Sequence, residues 1–171
     1  MTIDPIASSR LSDPNWRRLV RLLGQRKLGL ISGSAIVDWG VDALVAGWES
    51  RSLNVLAGLA KPPNEFEVDE YVGRMLKELD VRVPDDKEFA KLYGMAVAGE
   101  MLAGTTTPYD GARELFNLWL RSGCPGDLQA WCGYEDEYEL ARDGVFGDIA
   151  DVERDILDEA RRMLGVHHQR T

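Results

Sequence analysis

Along most of the chain, apolar residues recur three and four positions apart, the spacing of helices that bury one side. The stretch Ser32 to Ala60 predicts two helices joined by a tight corner. Plotted at about 100° per residue, Ile36, Val37, Val41, Leu44, Val45 and Trp48 share one half of the first helix, with Asp38 and Asp42 opposite. Gly47 suits a C-terminal cap, because glycine enters the left-handed region without a Cβ clash. Ser50 or Ser52 then caps the run Leu53, Val55, Leu56 and Leu59, which Pro62 and Pro63 stop. Such a hairpin cannot bury its apolar face alone.

Upstream, Ser12 or Asp13 caps a helix with Pro14 in its first turn and Trp16, Leu19, Val20 and Leu23 as its stripe. Arg17, Arg18, Arg21, Arg26 and Lys27 make it the most basic stretch in the chain. Downstream, Asn64 with Glu67 is a capping-box pattern ahead of Val68, Tyr71, Val72, Met75, Leu76 and Leu79. The acids Glu65, Glu67, Asp69 and Glu70 crowd its first turn, where the helix dipole alone accounts for them. Asp85 with Glu88 opens a helix that is uncharged between Lys91 and Glu100, the mark of an element packed on several sides. Its small residues Gly94, Ala96, Ala98 and Gly99 would let a neighbour come close.

Thr107, Pro108 and Asp110 start the next helix, whose apolar face is Tyr109, Ala112, Leu115, Phe116, Trp119 and Leu120. A short helix around Leu128 to Cys132 follows, then the acidic string from Tyr134 to Glu139 and a loop signalled by Gly144 and Gly147. Asp148 or Asp151 starts the last helix. Its stripe is Ile149, Val152, Ile156, Ala160 and Met163, with Arg154, Asp155, Asp158, Arg161 and Arg162 facing away. Period-two alternation never persists, so no strand is expected. The expectation is an all-α protein, a compact bundle or orthogonal array of about six to eight helices without a sheet. Residues 1–11 read as a flexible lead-in, 12–165 as a single helical domain and 166–171 as a disordered tail.

Composition narrows the function classes. A chain of 171 residues with 44% hydrophobic content can build a core without staples. Its 29 acidic against 20 basic residues give a net charge of −9, which argues against general nucleic-acid binding and suits a basic partner. Docking of nucleic acid on the Arg-rich first helix is the one exception to weigh, against a face paired with acids of the same chain. Cys124 and Cys132 lack the spacing of a zinc site and read as reduced, partly buried thiols. The first residues do not form a signal peptide, and Leu28 to Val37 falls short of the ~20 apolar residues of a membrane helix. A cytoplasmic protein, with no membrane contact, is expected.

The chemistry on offer is carboxylate chemistry. His167 and His168 sit side by side in the tail, where neither can be held against a nucleophile, and a tail metal site is weighed below a solvated end. Asp38 and Asp42 stand one turn apart but lack the facing His or second acid pair of a helical metal site. Glu100 shares a stripe with Phe89, Tyr93 and Ala96, so it is either hydrogen-bonded structurally or a pocket carboxylate. Glu135, Asp136, Glu137 and Glu139 interleave with Tyr134 and Tyr138, which reads as a mobile acidic loop or as a contact surface for a basic partner. Trp39, away from the main apolar arc, is either covered by another helix or an exposed anchor. No catalytic residue, metal or cofactor is expected.

In pattern, VDWGVDALVAGWESRSLNVLAGL, PPNEFEVDEYVGRMLKELDV and DGARELFNLW loosely resemble small all-helical bacterial proteins of the immunity-protein type. The resemblance spans roughly residues 35–120 and implies no catalytic residues. The expectation is a non-catalytic interaction module, of immunity or regulatory kind, binding a basic protein partner through an acidic surface. Candidate contacts are Trp39, Tyr134, Glu135, Asp136, Glu137 and Tyr138. The alternative is a small enzyme or ligand-binding bundle that uses Glu100.

Overall fold

The computed structural model describes residues 13–81, 84–123 and 126–165. Residues 1–11, the tail 166–171 with His167 and His168, Ser12 and Cys124 lie outside the described residues. Within them the chain forms eight α-helices and no strand, the all-α array that the periodicity predicts. It gathers into two compact units, Met1–Phe89 and Ala90–Thr171, whose boundary falls inside a helix. No linker composition marks that boundary, so the sequence reads as one domain over 12–165.

The first unit holds α1 (Pro14–Lys27), α2 (Gly33–Val45), α3 (Arg51–Ala57), α4 (Glu65–Glu78) and the first turn of α5 (Asp86–Leu102). Asp13 caps α1 by accepting the Asn15 N–H at 2.8 Å, with Pro14 at the first position, where its missing donor costs nothing. Trp16, Leu19 and Val20 are then buried at helical spacing. The hairpin corner is a Schellman motif. Gly47, at φ +87°, donates to the Leu44 carbonyl and Trp48 donates to that of Ala43, both at 3.0 Å.

The buried face of α2 is not the one its aliphatic residues predict. Ile36, Val37, Trp39, Gly40 and Ala43 are inside, while Val41 and Val45 are exposed. The face has turned by about a quarter of the circumference. Two close approaches cause this. Gly40 lies against α3, where an added Cβ would stand 3.5 Å from the backbone of Ala57. Trp39 is fully buried, donates its indole N–H to the Asn15 carbonyl at 3.0 Å and meets Trp48 edge-on at 5.5 Å. Trp39 is therefore core, and its candidacy as a partner-binding residue is withdrawn. The Trp39 ring is larger than either valine and its donor is satisfied inside, so its burial with the close approach at Gly40 sets the orientation.

α4 ties the hairpin together from both of its ends. At its start, the Glu65 carboxylate accepts the Gly33 N–H at 3.0 and 3.1 Å, capping α2 where Ser32 makes no side-chain cap. Arg26 holds Glu65 in place through its carboxylate and its carbonyl, the latter at 2.8 Å. At its end, Glu78 accepts from the Ser50 and Ser52 hydroxyls at 2.6 Å and from the Ser52 N–H at 3.0 Å, capping α3. These bonds hold the Glu78 carboxyl down at about 2, the two serine hydroxyls being the main cause. A helix N-terminus offers unpaired N–H groups and positive dipole, so each carboxylate serves a helix other than its own.

The second unit holds the rest of α5, α6 (Pro108–Arg121), a 3₁₀ segment (Gly126–Cys132), α7 (Tyr134–Arg142) and α8 (Ile149–Met163). α6 packs on the 3₁₀ segment, α7 and α8, and α7 packs on α8. Thr107 accepts the Asp110 N–H at 3.1 Å to cap α6, and Asp148 accepts the Ala150 N–H at 2.7 Å to cap α8. Gly94 does face a close neighbour: an added Cβ would stand 3.1 Å from Leu128 and closer still to the Met163 side chain. Gly99 meets nothing comparable. The string 134–139 is helical, which removes the reading of it as a loop. Glu135, Asp136 and Glu137 occupy the first turn of α7 and Arg142 its last, the arrangement the dipole favours.

Candidate binding cleft

The residues on α7 and α8 that point between the two helices build a site. α7 starts at Tyr134, directly after Gly133, so Tyr134 and Glu137 lie one turn apart and project to the same side. From α8, Asp155, Asp158 and Arg162 project at spacings of three and four. Together with Ala130 and Gly133, these five polar side chains line an open cleft of about 400 Å³. Three carboxylates face one guanidinium.

The cations nearby are partly committed. Arg161 pairs with Asp158, and Arg154 pairs with Asp151 at 2.7 Å and reaches Asp155 only at 4.0 Å. Glu137 makes no ion pair among the described residues. Arg162 is drawn to Glu159, a carboxylate inside the apolar stripe of α8 and only 8% exposed. The Tyr134 ring packs on buried Trp131 at 5.8 Å, and its hydroxyl is 3.5 Å from the Asp155 carbonyl. Burial, then the negative charge of Glu159, pushes the Tyr134 phenol above its ordinary value, with Arg162 opposing. At neutral pH the cleft thus presents a phenolic donor and ring, two exposed aspartates and one exposed glutamate.

Of the candidate contacts, Tyr134 and Glu137 meet in this cleft. Glu135 and Asp136 lie on the same helix outside its lining. Tyr138 is engaged elsewhere, stacked on Tyr109 at 4.4 Å, with the Arg113 guanidinium 5.5 Å from the Tyr109 ring. Glu100 is half-buried near the end of α5, where Thr106 donates to it at 3.3 Å, and does not line the cleft. Asp38 and Asp42 pair with Lys61 and Arg18 (the latter at 2.6 Å). Among the described residues, no group of three or more His, Cys, Asp or Glu is placed to hold a metal ion.

Sequence reasoning missed Asp155, Asp158, Glu159 and Arg162. The first two and Arg162 read as an ordinary solvated face, because nothing in α8 itself says that α7 lies across from it. Glu159 did leave a signal, a carboxylate three residues after Ile156 and beside Ala160 in an otherwise apolar stripe.

No protein-family model, curated protein or solved structure matches the chain.

Proposed function

We propose that the protein is a non-catalytic interaction module, of immunity or regulatory kind, that takes a basic protein partner at the acidic cleft between α7 and α8. The observation that carries this reading is the opening of about 400 Å³ lined by Glu137, Asp155, Asp158 and the Tyr134 ring. A cationic side chain entering it would meet exposed carboxylates, of which Asp158 also pairs with Arg161, and an aromatic wall. The net charge of −9 steers a basic partner toward the molecule.

The test compares capture from the native host by the wild type, by Glu137→Gln/Asp155→Asn/Asp158→Asn and by a control, Glu67→Gln/Glu70→Gln. A basic partner kept by wild type and control but lost from the cleft variant is the expected result. Equal capture by all three, or no partner for the wild type, overturns the reading.

A further inference from the structure

The turn of α2 that puts Trp39 and Gly40 inside leaves part of its aliphatic arc outside. Val41 is 45% exposed and Val45, one turn on, is 84% exposed, with Leu44 half-buried beside them. Valines on a solvated helix face cost helix propensity and bury little within their own chain. The charges along this face are balanced. On α2, Asp38 and Asp42 each stand about 60° around from the valine three positions on. Lys61 pairs with Asp38 and Arg18 with Asp42, the latter at 2.6 Å, and all four side chains keep 50–57% of their surface exposed. Two acids and two cations thus flank the valines, on a chain whose net charge is −9. Copies of so acidic a chain repel one another in general, but over this face the local charges cancel.

We propose that a second copy of the chain docks on this face, its α2 lying antiparallel to the first about a two-fold axis near Val41. A two-fold contact must be complementary to itself. A face that carries both signs in equal number meets that condition and fits a strongly basic or strongly acidic partner poorly. In the antiparallel arrangement the Lys61–Asp38 end of one copy meets the Arg18–Asp42 end of the other. Each acid then gains a second cation, while Val41 and Val45 leave water against their counterparts. One helix face covers less than the ~800 Å² per partner of a standard interface, so the dimer is weak, with a Kd of about 10 μM to 1 mM.

The experiment is sedimentation equilibrium of the full chain from about 10 μM to 1 mM, with amide NMR over the same dilution. A monomer–dimer equilibrium is expected, with concentration-dependent shifts confined to 34–45, Arg18 and Lys61. Val45→Lys, which suits a helix C-terminus and should keep the wild-type urea midpoint, is expected to weaken association at least about 10-fold. Arg18→Glu is expected to weaken it as well, and Arg18→Glu/Asp42→Arg to restore it, a rescue that depends on the balance of sign and not on either side chain alone. A wild type that stays monomeric at every concentration overturns the proposal and leaves the face to a partner of another kind. A dimer whose shifts fall outside this face, a dimer that Val45→Lys leaves intact, or a charge swap that restores nothing overturns it too.

Discussion

At the residue scale, single carboxylates and glycines set much of what can be measured. Glu78 has its folded pKa depressed to about 2 from 4.5, so its stabilising contribution is fully present above about 4.5 and is lost as pH falls toward 2. Glu78→Gln is accordingly expected to lower the urea midpoint at neutral pH, and the gap to wild type should close between about pH 4.5 and 2. A gap that stays constant through that range would show that the serine bonds do not depend on charge. Gly33→Ala puts two effects in opposition. Alanine gains about 1 kcal/mol of helix propensity, but its Cβ would lie 2.9 Å from Val68 Cγ2 and 2.7 Å from Arg26 Nη1. The arginine can swing away; the β-branched valine cannot, so the clash wins and a net loss of about 1–2 kcal/mol is expected in chemical unfolding. Asp80 is the one described non-glycine residue at positive φ, +54°, in the Schellman ending of α4. Asp80→Gly should stabilise by about 0.5–1 kcal/mol, read as a rise in the same midpoint.

At the element scale, α4 acts as a bracket. Fourteen residues long, it separates its two capping carboxylates by about 20 Å, a distance at which contributions add. The losses in urea midpoint from Glu65→Gln and Glu78→Gln should therefore sum in the double variant. A double variant no worse than the poorer single would mean that α4 leaves the hairpin as one piece when either end is freed. In the second unit, α7 shows why acids in a first turn need two readings. Glu135, Asp136 and Glu137 all favour the dipole of their own helix, yet only Glu137 also faces α8. Helix stability explains their clustering, and position relative to α8 decides which one can meet a ligand.

At the scale of the whole molecule, charge decides which partners are plausible. Three cations of α1 are matched by acids of the same unit: Arg18 with Asp42, Arg26 with Glu65 and Asp69, Lys27 with Asp86. Lys27 in turn lowers the Asp86 carboxyl through a hydrogen bond and its charge. A face neutralised in this way has few cations left to displace counterions from phosphates, so DNA binding should be negligible even at low salt. Steep, salt-sensitive binding to duplex DNA would refute that. Association with a basic protein should behave differently, its on-rate falling about tenfold or more as salt rises from about 0.05 to 0.3 M while the off-rate changes little. An on-rate independent of salt would place recognition outside the acidic cleft. No helix among the described residues is long and apolar enough to cross a membrane.

The sequence by itself determined the helices, because caps and periodicity are local. Asp13, Asp85, Thr107 and Asp148 each supply a side chain to the N–H groups two or three residues on, and that chemistry needs no knowledge of the fold. It also singled out Tyr134 and Glu137 as candidate contacts, since aromatic rings among acids are visible in one dimension. Tertiary structure alone decided which face of α2 is inside, because close packing of Gly40 on Ala57 and a hydrogen bond from Trp39 to Asn15 outweigh the count of aliphatic residues. It alone turned Glu65 and Glu78 from dipole acids into caps for other helices. It alone brought Asp155, Asp158 and Arg162 across from Glu137, for a helix's polar face becomes a cleft only when a second helix lies beside it.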